Sequence, residues 1–228
     1  MRFLRAPSIS QDTLVRCTVF ALGFAPIASL SLSTFNLIPL YVSGPAVVLP
    51  AIAGIVTLGV MFRQYSRMLL RGFLLGLTAV SLYDVTCRFP FMAMGVWHDF
   101  IPKIGNYLLH REHVQWWVGY LWRYAGNGGG MGLAFYAAYP LLRKRVPAVR
   151  AGLVYGVGIF CCLLITIYLS PSGRTYLFDP TPFTATLGLL GHIVFGLTLG
   201  FGTQQSLARQ QALVTPVQLD PRTIEWAN

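Results

Sequence analysis

Long apolar stretches separated by short polar connections run the length of this chain, and the positive charge falls on alternate connections. A transmembrane helix needs roughly 20 mostly apolar residues. Stretches that meet or approach this length are 13–34, 45–62, 69–87, 118–142, 151–170 and 184–203. The second is the shortest, and the fourth carries Arg123. Hydrophobic residues make up 55% of the chain and charged residues 11%, against about 25% charged in a soluble domain. The chain therefore lacks the polar surface of a water-soluble fold. The pattern predicts an all-α integral membrane protein, a bundle of about six transmembrane helices.

The net charge of +10 does not point to nucleic acid, because the basic residues form no single patch. With the N-terminus in the cytoplasm, Arg2, Arg5, Arg16, Arg63, Arg67, Arg71, Arg143, Lys144, Arg145, Arg150, Arg209 and Arg222 all lie inside. Only Arg88, Lys103, Arg111 and Arg174 lie outside. This is the positive-inside bias. It predicts a multi-pass protein of the inner (plasma) membrane with both termini cytoplasmic. The partners expected are the lipid bilayer and either further copies of the chain or a larger membrane complex. Residues 1–203 read as a transmembrane domain and 204–228 as a polar cytoplasmic tail containing Pro216 and Pro221. The first stretch lacks an Ala-x-Ala cleavage signal, so it reads as a retained span.

Residues 88–117 form a long outer connection. Within it Asp99 is placed to cap a helix, and Phe100, Ile101, Ile104, Tyr107 and Leu108 recur on one apolar face. The expectation is a short interfacial helix lying flat in the headgroup layer. Trp97, Trp116, Trp117 and Trp122 flank it, and tryptophan prefers the membrane interface. A second outer loop, 170–183, is rich in proline and turn residues. A weak parallel repeat is also visible. RGFLLG (71–76) pairs with RAGLVYG (150–156), and VGYLWRYAGN (118–127) with LGLLGHIVFG (187–196), setting Arg123 over His192.

Polar groups inside the apolar stretches are the candidate functional residues, because each needs a partner or a task there. His192 lies near the middle of the last stretch. Either a facing helix satisfies its imidazole, or it relays protons or binds a ligand. Arg123 keeps its charge in practice, so it snorkels to the interface or pairs. Asp84 lies at comparable depth, and Arg88 follows four residues later on the same helical face. The expectation is an outer cluster of Asp84, Arg88 and Arg123. Asn127 is the second residue of the run GNGGGMG (126–132). That run reads either as tight helix packing or as a locally unwound segment lining a cavity. The last stretch contains the small-xxx-small step Gly196 to Gly200. If it packs against the fourth, His192 comes near the glycine run. The types of His98, Asp99, His110 and His113, with Glu112, suit a transition metal, but their spacing matches no metal motif. Cys17, Cys87, Cys161 and Cys162 show no zinc-ligand spacing and read as small hydrophobes. No cofactor is indicated.

From about Arg71 to Gln204 the chain resembles small uncharacterised polytopic membrane proteins of bacteria and archaea. The resemblance is carried by the glycine-paced spans, the exit Ser170-Pro171-Ser172-Gly173, and the final GHIVFGLTLG (191–200). In similar proteins the fourth span holds a histidine where this chain has Arg123, so a His–His site is not carried over. The resemblance implies a membrane protein and names no activity. The functional expectation is a non-enzymatic component that binds or passes a small solute, ion or lipid. The alternatives are an accessory subunit of a membrane complex, with glycine faces as contact surfaces, and a membrane enzyme with an outer His/Asp metal site.

The topology has a direct test. A single cysteine replacing Arg145 is expected to resist a membrane-impermeant thiol reagent in intact cells and to react after permeabilisation. Labelling of intact cells at that position would reverse the orientation.

Overall fold

The structure, a computed structural model, describes residues 10–214 and is all-helical, with no strand among them. The calls on Arg2, Arg5, Arg222 and most of the polar tail lie outside the described residues. The helices are α1 (Gln11–Gly23) and α2 (Ala25–Thr34), α3 (Leu40–Met61) and α4 (Arg63–Ala93), and α5 (Ile101–Leu109). They continue with α6 (116–142), α7 (Ala148–Leu169), α8 (Gly173–Tyr176) and α9 (Pro182–Val214).

Proline sets many of the boundaries. Pro26 lacks an N–H and lies in the first turn of α2, where none is needed. The apolar stretch 13–34 is accordingly two helices bent by 41° at Phe24. Pro39 and Pro147 are extended and precede α3 and α7, and Pro182 opens α9. The stretch 45–62 is not short once folded, since α3 runs 22 residues from Leu40. The last helix continues beyond position 203 to Val214.

Among the described residues three helices contain π-helical segments: Gly44–Val48 in α3, Asp84–Arg88 in α4 and Trp122–Gly129 in α6. In α4 the cause is local. Pro90 cannot donate to the carbonyl four residues back, and Phe89 N–H bonds instead to the Asp84 carbonyl five residues back.

Helices α3, α4, α7 and α9 are long and apolar enough to cross a membrane, with α1 and α2 a fifth if the bent pair counts as one span. Helix α6 falls outside this set, and its surroundings explain why. It is the enclosed helix: every residue from Met131 to Ala137 is buried. By contrast α3 buries only Ala51 between Leu49 and Met61. A helix walled off by other helices can carry Arg123, Asn127 and six glycines without exposing them to lipid.

Glycines set how closely the helices approach. A Cβ on Gly76 would strike the Gly128 carbonyl and Gly132 Cα, which joins α4 to α6. A Cβ on Gly156 would strike the His192 carbonyl and Gly196 Cα, which joins α7 to α9. Gly72 and Gly152 repeat this one turn away, against Gly132 and Gly200 respectively. Both pairs are antiparallel and use the same small-residue device. By these contacts Gly128 holds in the first pair the place that His192 holds in the second, whereas the sequence repeat sets Arg123 there. Helix α9 packs chiefly on α7 and α4, with little contact to α6. This corrects the expectation that the last span lies against the fourth.

The short helix of the long connection is present as α5, but its apolar face turns into the protein. Ile101 and Ile104 are buried, and Gly105 sits against Gly119 at the start of α6. Trp97 and Trp122 are also buried, whereas Trp116 and Trp117 are exposed.

These contacts separate two neighbouring glycines. Gly156→Ala places a methyl on backbone atoms of α9, so the melting temperature in detergent is expected to fall. Gly158 has open space around it, and Gly158→Ala is expected to gain up to about 1 kcal/mol of helix propensity. Equal effects at the two positions would remove the close-packing account.

Candidate functional site

The buried charges meet where α4, α5 and α6 converge at one end of the bundle. Asp84 has no solvent exposure and accepts two forked arginine contacts. Arg88 donates from Nε to Oδ1 at 3.1 Å and from Nη2 to Oδ2 at 3.2 Å. Arg123 donates from Nε to Oδ2 at 3.3 Å and from Nη2 to Oδ1 at 2.5 Å. The forked geometry matches a planar guanidinium to a carboxylate. The expected cluster of Asp84, Arg88 and Arg123 is therefore a contact in the structure.

Two further groups complete it. Arg88 Nη1 donates to Asp99 Oδ1 at 2.8 Å, and Nη2 also reaches the Tyr120 hydroxyl at 3.1 Å. Tyr120 in turn donates to Asp99 Oδ2 at 2.8 Å. Asp99 Oδ1 also accepts the Ile101 N–H, so the same carboxylate caps α5. Two carboxylates and two guanidiniums make the cluster neutral as a whole, which is what a water-poor site requires. Aromatic faces cover the cations: Arg88 lies 5.0 Å from the Phe89 ring centroid and 5.2 Å from that of Tyr120. Arg123 lies 4.6 Å from that of Tyr83.

The backbone beneath is unusual. Asp84 and Arg88 open and close one π-helical segment, and Arg123 stands on another. Such segments occur often at functional sites. On the α6 segment, Trp122 Nε1 and Asn127 Oδ1 are buried and have no hydrogen-bond partner. Arg123 is the most accessible of the three cluster residues read from the sequence, with 14% side-chain exposure. Its two hydrogen bonds both go to Asp84, which leaves donor capacity on a five-donor group.

The remaining candidates lie outside the hydrogen-bonded cluster, His192 one ring away from it, since the Tyr83 ring that covers Arg123 also packs on His192. His192 sits between the rings of Tyr83 and Phe160, at 5.3 and 5.4 Å, and its Nδ1 lies 2.7 Å from the Gly188 carbonyl of its own helix. The ring of Tyr83, in turn, occupies the space a Cβ on Gly191 would need. Among the described residues no hydrogen bond or ring contact joins His192 to the glycine run. That run is helical, not unwound. Its consecutive glycines meet different neighbours: Val80 against Gly128, Phe73 against Gly129, and Gly23 against Gly130.

The metal candidates do not assemble. Among the described residues no three His, Cys, Asp or Glu side chains are placed to share an ion. Asp99 is engaged by Arg88, Tyr120 and the Ile101 amide. His110 packs against Tyr41 with ring centroids 4.6 Å apart, and His98, Glu112 and His113 are exposed. Cys87 is buried, the other three cysteines are exposed, and all four are free.

Sequence reasoning missed Tyr120 and assigned Asp99 only as a cap and a metal ligand. A signal existed for Tyr120. It lies three residues before Arg123, so both occupy adjacent turns of one helix face. Comparison with protein-family models, curated proteins and solved structures finds no match.

The network predicts a graded response to substitution. Asp84→Asn leaves two buried guanidiniums short of charge and is expected to cost ~3–5 kcal/mol. Tyr120→Phe removes one hydroxyl shared by two partners and is expected to cost about 1 kcal/mol. Denaturant titration in detergent would measure both. A change at Asp84 no larger than that at Tyr120 would show that the carboxylate is not the centre of the cluster.

Proposed function

We propose that this chain is a non-enzymatic protein of the inner membrane that binds or passes a small solute, ion or lipid through its helix bundle. In this reading both termini are cytoplasmic, six stretches cross the bilayer with α6 enclosed by the others, and α5 lies at headgroup depth. The engaged site is the Asp84–Arg88–Arg123 network. A small anion suits it best, because an anion competes directly with the resident carboxylates for guanidinium donors.

One observation carries this reading: the buried pair Asp84 and Arg88 stands on one π-helical segment, and the partly buried Arg123 that shares Asp84 stands on another. Ionisable groups at membrane depth are costly and mark solute paths by default. The unpaired Asn127 Oδ1 on the same α6 segment as Arg123 adds a polar group with capacity to spare. The rival readings have less support. The glycine faces that would serve an accessory subunit are used within the chain, Gly72 and Gly76 against α6, Gly152 and Gly156 against α9. The donors that would serve a metal enzyme lie apart.

Proteoliposomes test the proposal. Osmotic swelling in sodium formate, acetate and phosphate, followed by light scattering, is expected to exceed that of protein-free vesicles for at least one anion. Arg123→Gln is expected to abolish the excess. His192→Gln is expected to preserve it across pH 5–8, the range in which histidine titrates, because His192 contacts rings and its own helix. Swelling equal to protein-free vesicles for all three anions would count against passage of small anions. Loss at His192 with retention at Arg123 would move the site to α9.

A further inference from the structure

A half-open pocket of about 450 Å³ lies at the C-terminal end of α5. Tyr41 of α3, Asn106 and Tyr107 of α5, Arg111 and Glu112 of the following turn, and Tyr176 of α8 line it. It stands at the opposite end of α5 from Asp99, about 13 Å away at 1.5 Å per residue. It is therefore separate from the charged network.

The wall is built from ordered contacts. The Tyr107 and Tyr176 rings stack with centroids 4.1 Å apart. His110 takes a left-handed conformation, φ 51°, which ends α5 and turns the chain. The Asn106 carbonyl accepts the amides of His110 and Arg111, and Asn106 Oδ1 accepts the Gln115 amide at 2.7 Å. This fixes the turn that carries Arg111 and Glu112. Burial, and then the neighbouring Tyr176 phenol, raise the Tyr107 pKa, so its hydroxyl is available as a donor at neutral pH.

Arg111 and Glu112 are both exposed, and neither side chain is paired with another described residue. One charge of each sign therefore lines a single pocket of mixed character, adjacent in sequence and without internal partners, with His110 the other titratable side chain besides the tyrosines. Below it, α3 is the least covered of the long apolar helices, and Val42, Leu49, Ile52, Val56 and Val60 are all exposed along it. A pocket with one charge of each sign, lined in part by the first residues of an uncovered apolar helix, has the chemistry of a zwitterionic lipid.

We propose that this pocket binds the phosphoethanolamine headgroup of a membrane phospholipid, with the phosphate on Arg111, the ammonium on Glu112 and an acyl chain along α3. An anionic headgroup would satisfy Arg111 but meet Glu112 as a like charge. A quaternary ammonium has no N–H to donate to Glu112 or the tyrosine oxygens. Tyr107 and Tyr176 face each other rather than forming an open aromatic box, so the site favours a primary ammonium. The proposal rests on the membrane placement of the chain and is independent of solute passage.

Native mass spectrometry of the full chain in detergent, titrated with dioleoyl phosphatidylethanolamine, phosphatidylcholine and phosphatidylglycerol, tests it. One phosphatidylethanolamine per chain is expected, bound at least about tenfold tighter than the other two, the difference expected from one charge-assisted hydrogen bond. Arg111→Gln and Glu112→Gln are each expected to lower that affinity about tenfold. Glu112→Gln should also narrow the preference over phosphatidylglycerol. Both positions are exposed, so an unchanged melting temperature verifies the fold. Soluble glycerophosphoethanolamine is expected not to displace the lipid at equal concentration. Displacement would identify the ligand as the free phosphodiester and overturn the lipid assignment. Equal binding of the three lipids, or full retention in both variants, would overturn the site.

Discussion

A carboxylate without solvent contact has to be neutralised where it stands, and Asp84 imposes that requirement on three elements at once. Its first counter-ion, Arg88, comes from the next turn of α4. Its second, Arg123, comes from α6, which fixes the depth at which the two helices meet. Arg88 then draws in Asp99, and Asp99 caps α5. One buried charge therefore sets the register of α4 against α6 and the position of the connecting helix. Removing one partner of such a set costs more than any single contact gains, because the remaining charges stay buried.

Close helix approach is what allows this arrangement in a mostly apolar chain. Gly76 faces Gly128 and Gly132, and Gly156 faces Gly196. With no side chains between them, backbones touch and α6 is enclosed. Enclosure removes the need for α6 to be apolar. The same residues that lower its hydropathy, Arg123, Asn127 and the glycines, are the ones that pack it or connect it to its neighbours. Polar content and central position in this helix are two views of one constraint.

Much of this was legible in the sequence, and the misses have physical causes. Apolar length located the long helices but not all their ends, since α4 begins at Arg63 and the last helix runs on to Val214. It failed at 13–34, where Pro26 splits the helix, and at Pro90, where α4 widens and continues to Ala93. The charged cluster could be read from depth and spacing, since Asp84 and Arg88 are four apart and Arg123 has nowhere apolar to go. Tyr120 offered only its spacing from Arg123, and the second role of Asp99 offered no comparable signal. Their geometry depends on how a 30-residue connection folds back, and no periodicity encodes that. His192 was misplaced because glycine spacing shows that a helix packs closely but not against which neighbour. The α5 face was misassigned for a similar reason: an amphipathic helix covers lipid or protein equally well, and only Gly105 against Gly119 decides it.

The central claim is that Asp84 and Arg123 act as one unit joining α4 to α6. A double-mutant cycle of Asp84→Asn and Arg123→Gln, read as unfolding free energy in detergent, measures that coupling directly. The account predicts that the double variant is no less stable than the worse single variant, with a coupling of roughly 0.5–3 kcal/mol. Additive losses would show that the two side chains are satisfied independently and would contradict it.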